Sequence, residues 1–290
     1  MNIALITTLP NLAENERIGQ EVRALNHRFK LIDLSTFSFN IKEAEIKVAG
    51  LEDLGFDVII VRGIFNSIKP ISVVVNSFRK RGVRVFDNNF IEHKYSIDKV
   101  TDLIKLAQER IPVPATAYSR DFSQYTDLAE TIGYPLVVKS TRSGKGAAIF
   151  KIDNKKSLLS LTADLEGDDK KAKSFLLQKF IAYKFDLRVL VIGKQVFTMR
   201  RIPAEGEFRA NYSLGGKVEQ FDLDDEGREL AIKALRTVDM SVGGIDILLA
   251  EDGKKYILEV NHTAGFVGME KALDKNIGKV YVEHAIANAK

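Results

Sequence analysis

Residues 243–268 read GGIDILLAEDGKKYILEVNHTAGFVG. Two β-rich runs, GIDILLA and KYILEVN, flank Glu251-Asp252-Gly253-Lys254, and an Asp-Gly pair between such runs is the signal of a type I′ hairpin. With Asp252 and Gly253 at the turn centre, Asp246 falls directly opposite Glu259, and Gly244 opposite Asn261. Side chains alternate between faces along a strand. Asp246, Glu259 and Asn261 therefore project together, while Ile245, Ile247, Leu249, Leu258 and Val260 turn to the core.

Two carboxylates directly across a ladder, about 4.5–5.5 Å apart at Cβ, repel unless something neutralises them. A hard divalent cation does so. Mg²⁺ takes carboxylate and carbonyl oxygens, usually one or two from the protein, and fills its other positions with water and substrate phosphates. The same pair also reads as two solvated acids on an exposed sheet face. Glycines at 243, 244, 265 and 268 weigh against that, because they thin the wall around the acids as a close-lying ligand requires. If the acids repel, removing either charge should leave the metal-free protein equally or more stable.

At 290 residues the chain is long enough for two or three lobes with cores of their own. Its 45% hydrophobic and 28% charged residues are the make-up of an ordinary globular protein. A net charge of +4 favours anionic ligands but is interspersed, so nucleic acid is not the expected partner. The absence of Cys excludes disulfides, thiolate metal sites and Cys nucleophiles, and suits a cytoplasmic protein. Met1 leads straight into a strand-like run, so no signal peptide is expected, and no apolar run approaches the ~20 residues of a membrane span.

Residues 2–8, 31–34, 57–63 and 83–86 read as strands, with helices from Glu14 through Phe29 and over 71–82. This alternation predicts a small α/β domain over 1–90 with a mostly parallel sheet. The turn after the first strand, TTLPNLAEN, lacks G-x-G-x-x-G, which removes the main support for a dinucleotide-binding fold. A long amphipathic helix is expected from about Asn89 to Ile111, closed by Pro112 and Pro114. From there to about residue 180 the pattern is β-α-β-loop-β-α-β, and the loop STRSGKGAA follows the strand YPLVVK. Two strands around Gly193-Lys194, a polar loop with Arg209 and Asn211, a helix, the acidic hairpin and a closing helix complete the chain.

Lys139 ends YPLVVK immediately before that loop. A strand-end lysine reaches phosphate as a point charge, and a Ser/Gly loop can turn its N–H groups onto a γ-phosphate and close as a lid. It is equally a surface pattern, and the loop is no Walker A sequence.

Taken together, Asp98-Lys99, YPLVVKS with GKGA, FLLQKFI, FDLRVLVIG, MRRIPAEGEFRAN, GGIDIL and EVN resemble, in order and spacing, the ATP-grasp enzymes, and specifically the RimK family of glutamate ligases. The resemblance runs from about Ile91 to the C-terminus. It implies an α/β architecture in which two α+β subdomains, 91–180 and 181–290, clasp ATP behind the N-terminal domain at 1–90. It also implies ATP with Mg²⁺ or Mn²⁺, as two ions. Lys99 and Lys139 would then contact the phosphates beneath a loop containing Gly144 and Gly146. Gln178, Lys179, Phe180 and Ile181 would line the adenine hinge, with Asp186 near the ribose. Arg209 and Asn211 would serve the γ-phosphate and the reacting carboxylate, and Asp246, Glu259 and Asn261 the metal.

The implied reaction is the ADP-forming union of a carboxylate with an amine. Its partners would be an amino-acid donor, glutamate first, and a carboxylate acceptor that is a small molecule or a protein C-terminus. Self-association stays open. Arg188, Arg200, Arg201 and Arg209 are the candidates for holding an acidic donor. Strand alternation lets only one of Arg200 and Arg201 face the site, and a surface pair between Arg201 and Glu205 is the competing reading. The sequence departs from the family's pattern at Lys179, where an acid is usual, and in a loop poorer in glycine that carries Arg142 and Lys145. It departs again in Asn261-His262-Thr263-Ala264-Gly265, which replaces N-A-S-P-G. A ligase of lysine biosynthesis or cofactor glutamylation is the alternative within the fold, and a non-catalytic ATP-binding module the alternative outside enzymes.

Overall fold

The computed structural model describes residues 1–43, 45–48, 51, 55–64, 68–92, 98–141, 148–204, 207 and 217–290. The chain opens with β1 (Asn2–Thr7), β2 (Arg28–Asp33), a small hairpin of β3 (Phe39–Lys42) and β4 (Glu45–Val48), then β5 (Val58–Val61) and β6 (Arg84–Asp87). Four of these form a parallel sheet in the order β2-β1-β5-β6. Parallel strands covered on both faces read as continuous apolar runs, and β1 is buried from Ile3 to Thr7. Ala4, Ile6, Ile59 and Val61 pack on one side against α2 (Ile68–Lys80); Ile3, Leu5, Val58 and Ile60 pack on the other against α1 (Ala13–Ala24). Phe29 lies in β2 rather than on the first helix. The helix stops because Asn26 turns to φ 59°, and Arg28 then pairs with Asn2.

The long helix expected from Asn89 begins later. Asn89 takes φ 68°, and the Asp87 carboxylate accepts the N–H groups of Phe90, Ile91 and Glu92. The described helix is α3 (Lys99–Gln108), capped by Asp98, which accepts from Val100 N and Thr101 N at 2.9 Å each. Asp is a favoured N-cap because its carboxylate satisfies the first free N–H groups and suits the positive end of the helix.

A second, antiparallel sheet runs β7-β10-β8-β9, from β7 (Thr116–Ala117), β8 (Leu136–Ser140), β9 (Ile149–Ile152) and β10 (Phe175–Lys179). It is backed by α4 (Tyr125–Ile132) and α5 (Lys155–Gly167). The third sheet is antiparallel, β13-β12-β11-β14-β15, from β11 (Asp186–Ile192), β12 (Gln195–Ile202), β13 (Lys217–Gln220), β14 (Val242–Leu249) and β15 (Lys255–Asn261). Helix α6 (Asp225–Thr237) covers one of its faces through Ala231, Ala234 and Leu235.

The chain then returns to its start through α7 (Val267–Leu273) and α8 (Ile277–Asn288). Ile277, Tyr281, Val282 and Ala285 join the same core as Ile3 and Leu5, and Lys290 and Val85 exchange backbone hydrogen bonds of 2.8 and 3.1 Å. Asn88 and Asn89 tie the end of β6 to the third sheet. Asn88 accepts from Ser241 N and Val242 N, and Asn89 donates to Val238 O. Among the described residues no helix is long and apolar enough to cross a membrane.

Candidate active site

The acidic hairpin forms with Asp246 opposite Glu259 and Gly244 opposite Asn261, as expected, although its turn does not. Ala250 N donates to Lys254 O and Gly253 N to Ala250 O, so three residues turn the chain, and Gly253 takes φ 83°. This is the three-residue loop that ends in a left-handed glycine. It displaces the register by one as far as Ile247, which pairs with Ile257. A bulge at Leu258 then restores it. Ile257 therefore takes the core position beside Ile245 and Val260, and Leu258 is only half-buried.

The bulge has a use. Leu258 O accepts from Lys139 Nζ at 3.3 Å, which joins the second sheet to the third. The edge of β15 is also covered, because Ile257 N donates to Pro112 O at 2.8 Å. Of the four glycines, Gly244 faces the site; a Cβ there would lie 3.3 Å from Asn261 Cβ and 3.6 Å from Arg188 Nη1. Gly243 faces Leu235 of α6, a Cβ on Gly265 would meet Glu14, and one on Gly268 would meet nothing within 4 Å.

The acids are neutralised from within. Asp246 Oδ1 accepts from Arg188 Nη1, and Asp246 Oδ2 from Arg201 Nη2 at 2.9 Å. Arg201 also grips Asp186 through two bonds of 2.7 and 2.8 Å. Burial alone would push Asp246 up, but the two guanidiniums outweigh it and hold the carboxyl down to about 2. Asp186 has only a share of Arg201, so burial prevails and its carboxyl rises to about 6. Glu259 Oε2 lies 3.0 Å from Lys99 Nζ, and Glu259 Oε1 accepts from Asn261 Nδ2 at 3.2 Å. Lys99, at the first position of α3, is thereby aimed at β15.

Lys139 is buried where β8 meets β15. Its Nζ donates to Gln178 Oε1 at 2.8 Å, and Gln178 Nε2 donates onward to Thr116 Oγ1. Burial pushes the Lys139 ammonium down to about 8, against the pull of Glu259. Lys179 turns away, to the carbonyls of Gly133 and Tyr134 at 3.1 and 2.9 Å. An acid at that position would repel those carbonyls, whereas the lysine satisfies them. Phe180 N donates to Pro135 O and its ring lies beneath Lys151 Nζ at 4.7 Å; Ile181 follows it, half-buried. Gly144, Gly146, Arg209 and Asn211, like Arg142, Lys145 and Glu205, lie outside the described residues.

Asp246, Glu259 and Asn261 thus present hard oxygen donors on one face, with Lys99 and Lys139 arriving from a helix and a second sheet. That donor set fits Mg²⁺, which takes few protein ligands and shares the rest with phosphates. The Asp186–Arg201 contact was readable in advance, because a two-residue turn at Gly193-Lys194 puts those residues opposite each other. Arg188 with Asp246 was not, since β11 and β14 are neighbours only once the sheet order is known.

A family model described as the RimK-like ATP-grasp domain matches residues 96–285. The chain belongs to the RimK-like ATP-grasp family. A second model, the RimK PreATP-grasp domain, matches residues 1–89 of this RimK-like chain. It is 29% identical to a probable alpha-L-glutamate ligase of Legionella pneumophila (strain Paris) over 297 residues, covering 100% of this chain and 97% of the relative. It is 32% identical to human N-acetylaspartylglutamate synthase A over 239 residues, covering 80% of this chain and 60% of that protein. Among solved structures it superposes on the ATP-grasp ligase PsnB complexed with minimal precursor, Mg and ADP. The TM-score is 0.74 at 21% identity, over 99% of this chain and 97% of that one. The macrocyclase MdnC of Microcystis aeruginosa MRC, bound with its precursor peptide MdnA, gives 0.70 at 15% identity, over 99% and 100%. At these identities both structures speak to the RimK-like chain's fold.

Proposed function

We propose that the chain is an ATP- and Mg²⁺-dependent carboxylate–amine ligase that adds glutamate, or another acidic amino acid, to a carboxylate acceptor. The observation that carries this reading is the convergence of Asp246, Glu259 and Asn261 with Lys99 and Lys139. Two cations from separate elements meet the hard-oxygen face of the hairpin. The names of the full-length relatives support glutamate as the donor.

In the reaction, the γ-phosphoryl group moves to a carboxylate oxygen and ADP leaves. The amine nitrogen then attacks the acyl carbon and loses a proton to solvent, and inorganic phosphate departs. Bound Mg²⁺ supplies charge neutralisation at the phosphate oxygens. Two ions are proposed, because Glu259 has Asp246 across the ladder and Asn261 two residues along. Lys139 and Lys99 hold phosphate charge, the backbone of 178–181 holds the adenine, and Asp186, kept in place by Arg201, faces the ribose. Gly144 and Gly146 cover the phosphates, and Arg209 with Asn211 meets the γ-phosphate and the carboxylate. Arg188, against Gly244, is the proposed grip on an anionic substrate group. Arg200 is released from that role, because it pairs with exposed Glu219 on the other face. The three lobes, at 1–90, 91–180 and 181–290, are the proposed units, and the cytoplasm the proposed setting for a chain without Cys.

The test is product analysis with ATP–Mg²⁺, a panel of amino acids and a panel of carboxylates. ADP and phosphate released only when donor and acceptor are both present is the expected result. AMP with pyrophosphate would remove the acyl phosphate, and nucleotide binding without turnover on any pair would favour the non-catalytic module. Lys139 adds a pH signature. It must be charged to hold phosphate, so kcat/KM for ATP, which reports the free enzyme, should fall as pH rises through about 8. Stability should run the other way. The unfolded chain keeps its proton up to the ordinary value of 10.5, so the nucleotide-free protein gains stability between those two pH values. A flat kcat/KM profile across pH 8 would contradict the assignment of Lys139 to the phosphates.

A further inference from the structure

Two contacts tie α3 to the strand that carries the metal face, and they differ in kind. The first, Lys99 Nζ to Glu259 Oε2 at 3.0 Å, joins two groups that water still reaches. Under the reading just proposed both change partner, Glu259 to metal and Lys99 to phosphate. The second lies one helical turn further along α3. Asp102 Oδ2 stands 2.8 Å from His262 Nε2, with side chains 4% and 8% exposed. At that burial the contact is shielded from solvent. His262 directly follows Asn261, and Asp102 follows Lys99 by three residues, which places the two on one face of the helix.

Elsewhere α3 is held nearer its other end. Leu106 packs into the core beside Leu187 and Ile257, and Lys105 pairs with Asp239 at 2.7 Å. The first turn of α3 is stiffened by Asp98, which accepts from Val100 N, Thr101 N and the Thr101 hydroxyl. That cap is local to the helix and ties it to nothing else. Once Glu259 takes a metal ion, the Asp102–His262 bond still fixes the front of α3 to the end of β15.

We propose that His262 is a positioning residue: its bond to Asp102 keeps the front of α3, and with it Lys99, beside the metal-facing strand after Lys99 exchanges Glu259 for the nucleotide. This rests on the ligase reading above. The effect of losing the bond therefore falls on nucleotide affinity, and it acts through Lys99. A histidine that merely fills space would weaken the fold without that dependence.

The test is calorimetric titration of ADP–Mg²⁺ into the full chain, read beside the melting temperature without ligand. His262→Ala is expected to weaken ADP about tenfold. His262→Gln, whose Nε2 can reach the Asp102 carboxylate, should return it to within about threefold of wild type. Should the alanine variant fail to fold, His262→Asn takes its place, because its shorter amide cannot reach Asp102. The deciding measurement is the double-mutant cycle with Lys99→Ala. If His262 acts through Lys99, the double variant binds ADP about as weakly as Lys99→Ala alone. Independent, multiplying losses would overturn the proposal, and so would a Gln variant no better than Ala, or an Ala variant that binds as wild type. Wild-type protein that does not bind ADP–Mg²⁺ would instead overturn the ligase reading itself, so the two failures are told apart.

Discussion

Asp246→Asn is expected to abolish ligase activity and, in the metal-free protein, to lower stability by about 3 kcal/mol. Glu259→Gln should abolish activity with almost no change in stability. Both substitutions remove a carboxylate from the proposed metal face, and removing charge stabilisation of that kind costs about 10²–10³-fold or more in turnover. Their surroundings differ. Asp246 is 7% exposed and gives one oxygen to each of two guanidiniums. Breaking a buried ion pair from one side leaves the partner uncompensated, at about 3–5 kcal/mol. The lower end applies, since Arg201 still has Asp186. Glu259 meets Lys99 at a wetter spot, with side chains 24% and 18% exposed, where pairs contribute about 1 kcal/mol or less. Cross-strand repulsion alone predicts that both variants melt at or above wild type. The two arginines reverse that for Asp246. Denaturant titration without metal checks it, and an Asp246→Asn variant as stable as wild type would mean that the arginines do not hold the acid.

Arg201→Ala should be the most damaging single arginine replacement, at about 3–5 kcal/mol, whereas Arg200→Ala should change stability by well under 1 kcal/mol. The residues are adjacent, so their side chains leave opposite faces of β12. Arg201 turns inward, where Asp186 and Asp246 are 4% and 7% exposed and both rely on it. Arg200 turns outward to Glu219, with side chains 37% and 44% exposed, and lies over the Phe185 ring. Activity should follow the same division, because Arg201 orients two acids of the site and Arg200 touches none. Equal losses in the two variants would mean that the strand presents its faces otherwise.

The register of the acidic hairpin was legible in the sequence, though for a reason the structure replaces. Asp-Gly signals a two-residue turn; Gly253 instead ends a three-residue one, and the bulge at Leu258 restores the predicted facing of Asp246 and Glu259. A pattern of alternating residues constrains which face is buried more strongly than it constrains the turn. The parallel N-terminal sheet was equally legible from its apolar runs. The start of α3 was misjudged because the helical spacing continues upstream of Asp98, whose capping role competes with that pattern. The charge network was legible within one hairpin, as Asp186 with Arg201. It was not legible between β11 and β14, which are distant in the chain and meet only through the sheet order. His262 stood out only as part of the loop that replaces N-A-S-P-G; its bond to Asp102 was not legible, because that partner lies 160 residues away.

The return of α8 to the first sheet also bears on the order in which the chain becomes itself. Ile3 and Leu5 leave a ribosome well before Tyr281, Val282 and Ala285, which join them in one core. At 5–20 residues per second the interval is roughly 15–50 s. Until α8 arrives, the side of the N-terminal sheet that carries Ile3 and Leu5 has α1 over it but not α8, whereas the opposite side can close once α2 is made. The nascent protein therefore carries a half-covered apolar face until α8 is made, and α8 acts as the latch that retires it.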